Sequence, residues 1–312
     1  MYSSILVPLD GSSFGEHALP LALRLAQQSG AALQIVHVHG SPASLYAEGD
    51  PAYSAEVDAA MRKSEQAYLD RIVERLANMS RTPVQTGLLE GPIGEALEER
   101  VRKTNVSLVV LTTHGHGLLA RAWLGSVADE LLRRLPVPVL ALRPNDAKVD
   151  LAREAGLRRI CIALDGSEHS ERIVGPALEL GCLLGAEYAL VQVIKPAVLG
   201  QHDAAATNQG FDPWLMQQLQ EGHEGEQARA KAYLERVAES LRARSLKVET
   251  RVLSHDQPAV AILEEAKARR ADLLALATHG RSGLPRLFLG SAADKVVRGA
   301  SIPVLLVRPP TP

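Results

Sequence analysis

The sequence predicts two tandem α/β domains, each doubly wound, with a mostly parallel five-stranded sheet flanked by helices. The length of 312 residues fits two domains that each bury a core of their own. The chain also repeats itself, and apolar runs such as LVVL and LLALA are typical of strands buried on both faces. Hydrophobic residues make up 46% of the chain and aromatic residues only 4%, so aliphatic side chains fill the predicted core.

The repeat is visible in three pairs of segments. ILVPLDGSSFGEHAL begins at Ile5 and ICIALDGSEHSERIV begins at Ile160, an offset of 155 (160 minus 5). LVVLTTHGHGLLARAWLGSVAD ends at Asp129 and LLALATHGRSGLPRLFLGSAAD ends at Asp294, an offset of 165 (294 minus 129). The segments VPVLALRP and IPVLLVRP follow at the same offset of 165. The second copy has therefore gained ten net residues (165 minus 155), which fall in the polar stretch 195–225, where we expect a surface loop with one short helix.

These segments define the domain boundaries. We predict a first domain at 1–145, a charged linker at 146–158 and a second domain at 159–312. In the first copy, helical segments separate strands expected at 4–10, 33–39, 84–90, 108–113 and 137–143. Helical crossovers between successive strands predict right-handed connections and a parallel sheet.

Composition excludes several classes of partner. The formal net charge is −2, and Lys and Arg form no long block, so we expect no nucleic-acid partner. The two cysteines, Cys161 and Cys182, lack metal-ligand spacing and suit a reducing compartment. The sequence begins without a signal pattern, and no apolar run is long enough to span a bilayer. We therefore expect a cytoplasmic protein without membrane contact.

An Asp-Gly-Ser turn follows the first strand of each copy. Asp10 and Asp165 close these strands, at the sheet edge where open parallel sheets bind ligands. The alternative is a structural turn, because Ser13 and Glu16 have capping-box spacing and an Asp at a strand end often accepts backbone hydrogen bonds. Both interpretations remain open at this point.

A second feature, found with the same spacing in both copies, is a loop that runs from a buried strand into the start of a helix. Glycine allows close approach of the backbone to a ligand, and the free N–H groups of a helix start form an anion site. The alternative is an ordinary loop with a Gly-Ser N-cap, and the histidines are as well explained by bonds to backbone as by phosphate contact. The residues are His114, Gly115, Gly125 and Ser126 in the first copy and His279, Gly280, Gly290 and Ser291 in the second.

Other nucleotide motifs and catalytic sites fit the sequence poorly. Residues 115–120 match the dinucleotide pattern GxGxxA, but the second copy breaks that pattern and places Pro285 where the helix should begin. Neither loop matches GxxxxGK[ST]. His37 and His39 alternate along the second strand without neighbouring metal ligands in sequence, so we expect no metal site there. No catalytic triad or paired-carboxylate motif stands out.

Three pairs of features occur in the same order in both copies: the strand ends at Asp10 and Asp165, the THG-loop-GS segments, and the final strands VPVLALRP and IPVLLVRP. Taken together, they resemble the universal stress protein family in its tandem two-domain form. The resemblance covers nearly the whole chain. In nucleotide-binding members the loop pattern is G-x2-G-x9-G-[ST], and this chain keeps its spacing in both copies. The resemblance implies that ATP is the ligand, with any Mg²⁺ held by the phosphates.

The resemblance also implies a role for each matching position. Phosphate contacts are expected from the loop glycines and the serines that follow them, and adenosine contacts from the first two strands. Two departures stand out: the first glycine of the pattern is replaced by Thr112 and Ala277, whereas Arg281 adds a charge suited to phosphate in the second copy. The implied contact residues are Pro8, Asp10, Val38, Thr112, His114, Gly115, Gly125 and Ser126, and Asp165, Val193, Ala277, His279, Gly280, Arg281, Gly290 and Ser291.

Three functional hypotheses follow. The first is a stress-response protein that binds ATP in one or both domains and changes its conformation or its contact with a protein partner. The second is a scaffold that binds no nucleotide; family members often pair through the last strand, so pairing of the two domains with each other and a homodimer are expected. The third is a weak ATP hydrolase, although the sequence shows no recognisable base or set of metal carboxylates.

Overall fold

A computed structural model describes residues 2–40, 51–113, 124–144, 147–152, 156–196, 213–278 and 289–308, with backbone alone at 51–54 and 213. Ten strands alternate with helices in the same order in both halves of the chain. The strands of the first half are β1 Ser4–Leu9, β2 Ala32–His39, β3 Val84–Glu90, β4 Leu108–Thr112 and β5 Val139–Leu142. Those of the second half are β6 Arg159–Ala163, β7 Glu187–Ile194, β8 Val248–Ser254, β9 Leu273–Ala277 and β10 Val304–Val307.

The helices cover both faces of these strands. A short 3-10 turn at Gly15–Ala18 leads into the first of them. In the first half they are α1 Leu19–Ser29, α2 Pro51–Ala77, α3 Ile93–Lys103 and α4 Ser126–Arg134. In the second half they are α5 Glu168–Glu171, α6 Val174–Leu184, α7 Pro213–Arg242, α8 Pro258–Ala268 and α9 Ser291–Gly299.

All ten strands belong to one sheet, in the order β3-β2-β1-β4-β5-β10-β9-β6-β7-β8. Neighbours within each half are parallel, as the helical crossovers predict. At the centre β5 and β10 pair antiparallel, with Leu305 opposite Leu140. The predicted α/β fold is therefore confirmed, and the two five-stranded halves share a single sheet.

Alternation of side chains along the buried strands builds a core on each face. Ile5 and Val7 belong to the core under α1, α2, α6 and α7, whereas Leu6 belongs to the core on the opposite face. Each core contains residues from both halves of the chain and so runs continuously across the β5 to β10 pair. On one face α1 packs against α6, and the Tyr2 hydroxyl donates to the Pro176 carbonyl oxygen at 3.2 Å.

Helix ends follow the local sequence. Gly30 and Gly185 stop α1 and α6 in the left-handed conformation, with φ of 71° and 65°, which glycine adopts at little cost. The insert, expected to be a surface loop with one short helix, is described only in part: its residues 213–225 belong to α7, which begins at Pro213 and runs unbroken for 30 residues. Residues 197–212 of the insert lie outside the described residues. In the described part of the chain, no helix combines the length and the apolar character needed to cross a membrane.

The central strand pair generates a prediction about stability. Leu140 and Leu305 face each other and are both fully buried, so replacing either by Ala should lower the free energy of unfolding by about 2–5 kcal/mol. Because the two side chains are direct partners, the double variant should depart from additivity by about 0.5 kcal/mol or more. Urea denaturation of the four proteins measures this coupling.

The control for this cycle is Leu76→Ala, a fully buried residue in α2, which covers β2 and β3. Four strand spacings separate β2 from β10, about 19 Å in total, so Leu76→Ala and Leu305→Ala should be additive. If Leu140→Ala and Leu305→Ala are as additive as the control pair, the side chains between β5 and β10 are not tightly packed against each other.

Candidate nucleotide site

The turn after β1 is held by the side chains of Asp10 and Ser12. Asp10 Oδ1 accepts hydrogen bonds from the Ser12 backbone N–H at 3.0 Å and the Ser12 hydroxyl at 2.6 Å, and Ser12 Oγ accepts from Gly15 N–H at 3.0 Å. Gly11 has a φ of 81°, a conformation that other residues adopt only at a cost. Gly15 lets the chain pass close by, since a Cβ there would lie 2.6 Å from Asp10 Oδ1.

This network corrects the capping-box interpretation, because Ser12, and not Ser13, caps the turn. Sequence spacing pointed to Ser13 since it stands three residues before Glu16, whereas the chain turns one residue earlier, at the positive φ of Gly11. Asp10 thus fulfils the structural role, and it is also exposed at the carboxyl edge of the sheet.

The end of β2 brings the backbone of Val38 to the same edge. Ala32 N–H donates to the Ser3 carbonyl oxygen, so even-numbered residues of β2 direct their polar groups toward β1. The last pair between these strands is Leu9 with His37, and β1 ends there. The Val38 carbonyl therefore points past the end of β1, toward the space beside Asp10.

The third component is the start of α4. Gly125 is the N-cap residue of this helix and supplies no side-chain cap. Its own N–H donates to the Thr113 carbonyl oxygen at 2.8 Å, and Thr113 N–H donates to the Leu142 carbonyl oxygen at 2.8 Å. The helix start is thus fixed to the ends of β4 and β5. Because an α-helix cannot bond its first N–H groups internally, those that follow Gly125 are directed at an incoming anion.

These components enclose a cleft of about 310 Å³ at the carboxyl ends of the strands. Six of the predicted residues line it: Pro8, Asp10, Val38, Thr112, Gly125 and Ser126. His114 and Gly115 lie outside the described residues. Sequence reasoning missed the remaining wall, which comprises Leu9, Gly15, His37, Ile93, Leu97, Leu111, Thr113, Val127, Ala128 and Leu131. These are mostly apolar residues whose only signal was the helical or strand periodicity that also predicts core.

The chemistry of the cleft is that of an apolar slot with polar groups at its ends. Leu97, Leu111 and Leu131 form much of the wall, while Asp10, Ser126 and backbone groups supply polarity, a combination typical of small-molecule sites. Lys and Arg are absent from the described residues that line it. Negative charge would therefore be met by the α4 dipole and its N–H groups. Thr112 does not have a positive φ, so the missing glycine of the family pattern causes no backbone strain here.

The second half repeats the local geometry. Ser167 donates to Asp165 Oδ1 from its N–H at 3.0 Å and from its hydroxyl at 2.6 Å, and Gly166 has a φ of 85°. Gly290 N–H donates to the Thr278 carbonyl oxygen at 2.8 Å, which matches the bond at Gly125. Ala277 also lacks a positive φ.

The walls around these groups differ in the second half. Ser291 lines a small groove of about 80 Å³ with Pro258 and Lys295, whereas Gly166, next to Asp165, lines another cleft. Among the described residues, Gly166 and Ser291 thus line two different grooves. Val193 lies in β7 at the position of Val38 in β2, and His279, Gly280 and Arg281 lie outside the described residues.

An ionic cluster around the buried His39, which the sequence analysis missed, lies behind the first cleft. His39 is 4% exposed; its Nδ1 lies 2.7 Å from Glu65 Oε2, and its Nε2 lies 2.9 Å from Asp58 Oδ1. Arg62 binds Asp58 at 2.6 Å, and His37, whose Nδ1 lies 2.8 Å from the Leu9 carbonyl oxygen, lies 3.5 Å from Glu65. The cluster therefore ties the end of β2 to α2. Within the described ranges, no group of three or more His, Cys, Asp or Glu side chains is arranged to hold a metal ion.

The two carboxylates favour the charged form of His39. Burial lowers the pKa of His39, but the hydrogen bonds to Asp58 and Glu65, with the charge of Glu65, outweigh burial and the opposing charge of Arg62. The net pKa of His39 is therefore raised above the ordinary value. The hydrogen bonds and charges of Arg62 and His39 lower the pKa of Asp58 against a smaller opposing effect of burial.

The fold and the cleft define a two-domain α/β protein whose first half presents a helix start and a fixed carboxylate at the carboxyl edge of its sheet. Both halves match the universal stress protein family, over residues 1–143 and 156–308. The chain belongs to the universal stress protein family.

Two of the following relatives match nearly the whole chain, and a third matches about half of it. A universal stress protein of Mycolicibacterium smegmatis is 26% identical over 98% of this chain and 97% of its own. The crystal structure of a universal stress protein from Archaeoglobus fulgidus has a TM-score of 0.64 at 18% identity, covering 98% of this chain and 96% of its own. Another universal stress protein, solved in complex with cAMP, is 24% identical over 46% of this chain and 97% of its own, with a TM-score of 0.34.

The His39 cluster generates a prediction about pH. A raised pKa in the folded state means that the stabilisation is complete below the unfolded value, near about 6.5, and is lost as pH rises through the folded pKa. His39→Gln removes the imidazolium. Its cost in unfolding free energy should therefore be larger at about pH 6 than at about pH 9, measured by urea denaturation at each pH.

The control is His169→Gln, at an exposed position in α5, which should change stability little at either pH. A cost of His39→Gln that is constant or grows with pH would contradict the charged cluster.

Proposed function

We propose that the first-domain cleft binds ATP and that the bound nucleotide alters the conformation of the protein or its contacts with a protein partner in a stress response. The observation that carries the proposal is the convergence of the fixed Asp10 carboxylate, the exposed end of β2 and the start of α4 on one apolar cleft. Membership of the family supports the stress-response role.

The proposed pose follows from the chemistry of each end. The phosphates lie at the start of α4, where the N–H groups after Gly125 and the Ser126 hydroxyl donate to their oxygens. The adenosine lies against Pro8 and the leucine wall, with its polar edge at the backbone of Val38 and at Asp10. Thr112 lines the floor between the two ends. A Mg²⁺ ion would be held by the phosphates, neutralising charge that no described Lys or Arg of the cleft meets.

The second domain is proposed as a further ATP site with its own electrostatics. Gly290 and Ser291 repeat the helix start, and Lys295 lines the groove beside Ser291, where the repeat places Glu130 in the first domain. A cation near a phosphate site favours binding. Asp165, Val193, Ala277, His279, Gly280 and Arg281 remain predicted contacts of this second site.

The remaining parts of the proposal concern organisation. We propose the boundaries 1–145, 146–158 and 159–312 for the first domain, the linker and the second domain. A cytoplasmic location agrees with Cys161 and Cys182, which are both free thiols. Homodimerisation and a protein partner complete the proposed function.

A charge placed at the α4 start tests the first site. Ser126→Asp should leave the unliganded protein folded, because an acidic residue in the first turn favours the helix dipole. The same charge repels phosphate, so the affinity for ATP should fall at least about tenfold, the equivalent of about 1.4 kcal/mol. Isothermal titration of protein freed of copurified nucleotide measures the affinity and the stoichiometry.

Ser291→Asp is the matched control, since it makes the same change at the corresponding helix start of the second domain. It should leave the first site intact and remove only binding that belongs to the second. If wild-type protein binds no ATP at millimolar concentration, the first-domain site is wrong and the scaffold hypothesis gains support. If Ser126→Asp leaves all ATP binding unchanged, the first-domain site is wrong and ATP binds elsewhere.

A further inference from the structure

The second domain contains a polar cleft that lies apart from the start of α9. It measures about 370 Å³ and lies between the end of β7, the turn at Gly166 and the middle of α7. We call it the Gln192 cleft and define it by Gln192, Glu226, Arg229, Ala230, Tyr233 and Arg236.

Two buried polar atoms in this cleft lack a hydrogen-bond partner. Gln192 is 4% exposed and Tyr233 is 9% exposed, and neither Gln192 Oε1 nor the Tyr233 hydroxyl makes a hydrogen bond. Ser170 and Glu171 lie near enough to act on the pKa of Tyr233, but neither is in hydrogen-bonding geometry with its hydroxyl. Burial of an unsatisfied polar group is costly, so native proteins usually supply a partner.

The glutamine is the informative member of this pair. Tyr68 is the counterpart of Tyr233 in the repeat, and its hydroxyl is also without a partner, so the tyrosine alone is a shared feature of the fold. The counterpart of Gln192 is His37, which is bonded to the Leu9 carbonyl oxygen. Of Gln192 and its counterpart His37, only Gln192 therefore has a buried side-chain atom without a hydrogen-bond partner.

The repeat explains why space opens here. The counterpart of Ala230 is Glu65, whose carboxylate contacts both His37 and His39 and occupies the corresponding space in the first domain. In the second domain Ala230 ends at Cβ, and the polar amide of Gln192 remains below it. The substitution removes the internal partner and leaves a cleft in its place.

Charge at the opening favours an anion. Arg229 and Arg236 are both exposed and line the cleft together with one carboxylate, that of Glu226. The carboxylates of Glu171 and Asp165 also act on Tyr233, from the turn beside the cleft. The Arg236 guanidinium stands 5.3 Å above the ring centroid of Tyr233, which holds it over the opening. Burial raises the pKa of Tyr233 to about 12, so its hydroxyl stays protonated and can donate to a ligand.

We propose that the Gln192 cleft binds a small hydroxylated organic anion. Its phosphate or carboxylate group lies between Arg229 and Arg236, and its hydroxyl donates to Gln192 Oε1 while accepting from Tyr233. The Gln192 cleft shares no lining residue with the first-domain cleft or with the groove beside Ser291, so this inference does not depend on ATP binding at either helix start.

The probes for the test are glycerol 3-phosphate and glycerate, which share an anionic group and hydroxyl donors but differ in the anion. Binding is followed by ligand-detected NMR and by thermal shift, with inorganic phosphate and glycerol as the separate parts of the first probe. Saturable binding of at least one probe is expected. Gln192→Leu and Arg229→Gln should each weaken it at least about tenfold.

The variants separate loss of the site from loss of folding. Gln192→Leu removes a buried amide oxygen that lacks a partner, so the melting temperature of the unliganded protein should rise while probe binding falls. Arg244→Gln makes the same charge change as Arg229→Gln at an exposed position about 20 Å further along the helix direction and should leave binding unchanged. Ser291→Asp should also leave probe binding unchanged, which keeps this test distinct from that of the nucleotide site proposed in the same domain.

Four results would overturn the proposal. They are no saturable binding of either probe up to about 10 mM, binding that Gln192→Leu leaves unchanged, inorganic phosphate binding as tightly as glycerol 3-phosphate, and a melting temperature lowered by Gln192→Leu. Equally tight binding of inorganic phosphate would show that the two surface arginines alone bind the anion. A lowered melting temperature of Gln192→Leu would show that the amide oxygen already has a partner.

Discussion

The antiparallel pairing of β5 with β10 is the constraint on which the rest of the structure depends. Each half of the chain ends in a strand whose outer edge would otherwise be exposed, and exposed edges invite pairing with other chains. Joining Leu140 to Leu305 satisfies both edges at once and makes both cores continuous. The segment between the halves therefore connects two units that already share a sheet. The short strands β5 and β10 fix the position of the strands and helices that line the clefts on either side.

Duplication has kept the backbone of the sites and varied their side chains. The Asp-Gly-Ser turns and the bonds from Gly125 and Gly290 to the preceding strand ends are nearly identical in length in the two halves. Side chains on β2 and β7 differ instead. Under α2 the first half contains an ionic cluster, whereas under α7 the second half contains the amide of Gln192 and a cleft. Backbone geometry thus persists because a turn or helix start tolerates few alternatives, while the layer under α2 and α7 is free to change chemistry.

The sequence predicted the fold well because its signals are local and repeated. Strands such as Ser4–Leu9 and Val84–Glu90 lie within the predicted segments, since continuous apolar runs and turn residues mark their ends. Six of the residues predicted as first-domain contacts also line one cleft, because carboxyl ends of parallel strands meet at one edge. Leu97 and Leu131 could not be identified as wall residues, because their periodicity is equally that of core. The His39 cluster was invisible because Asp58 and Glu65 come from a helix whose docking on β2 is a tertiary contact.

The antiparallel seam has a geometric consequence for how the molecule meets other molecules. Since the strands within each half are parallel but the halves run in opposite directions, their carboxyl ends lie at opposite edges of the sheet. The first-domain cleft and the Gln192 cleft therefore open toward opposite sides of the molecule. A molecule bound at one opening therefore leaves the other opening accessible from solvent, and the two clefts can be occupied independently of each other.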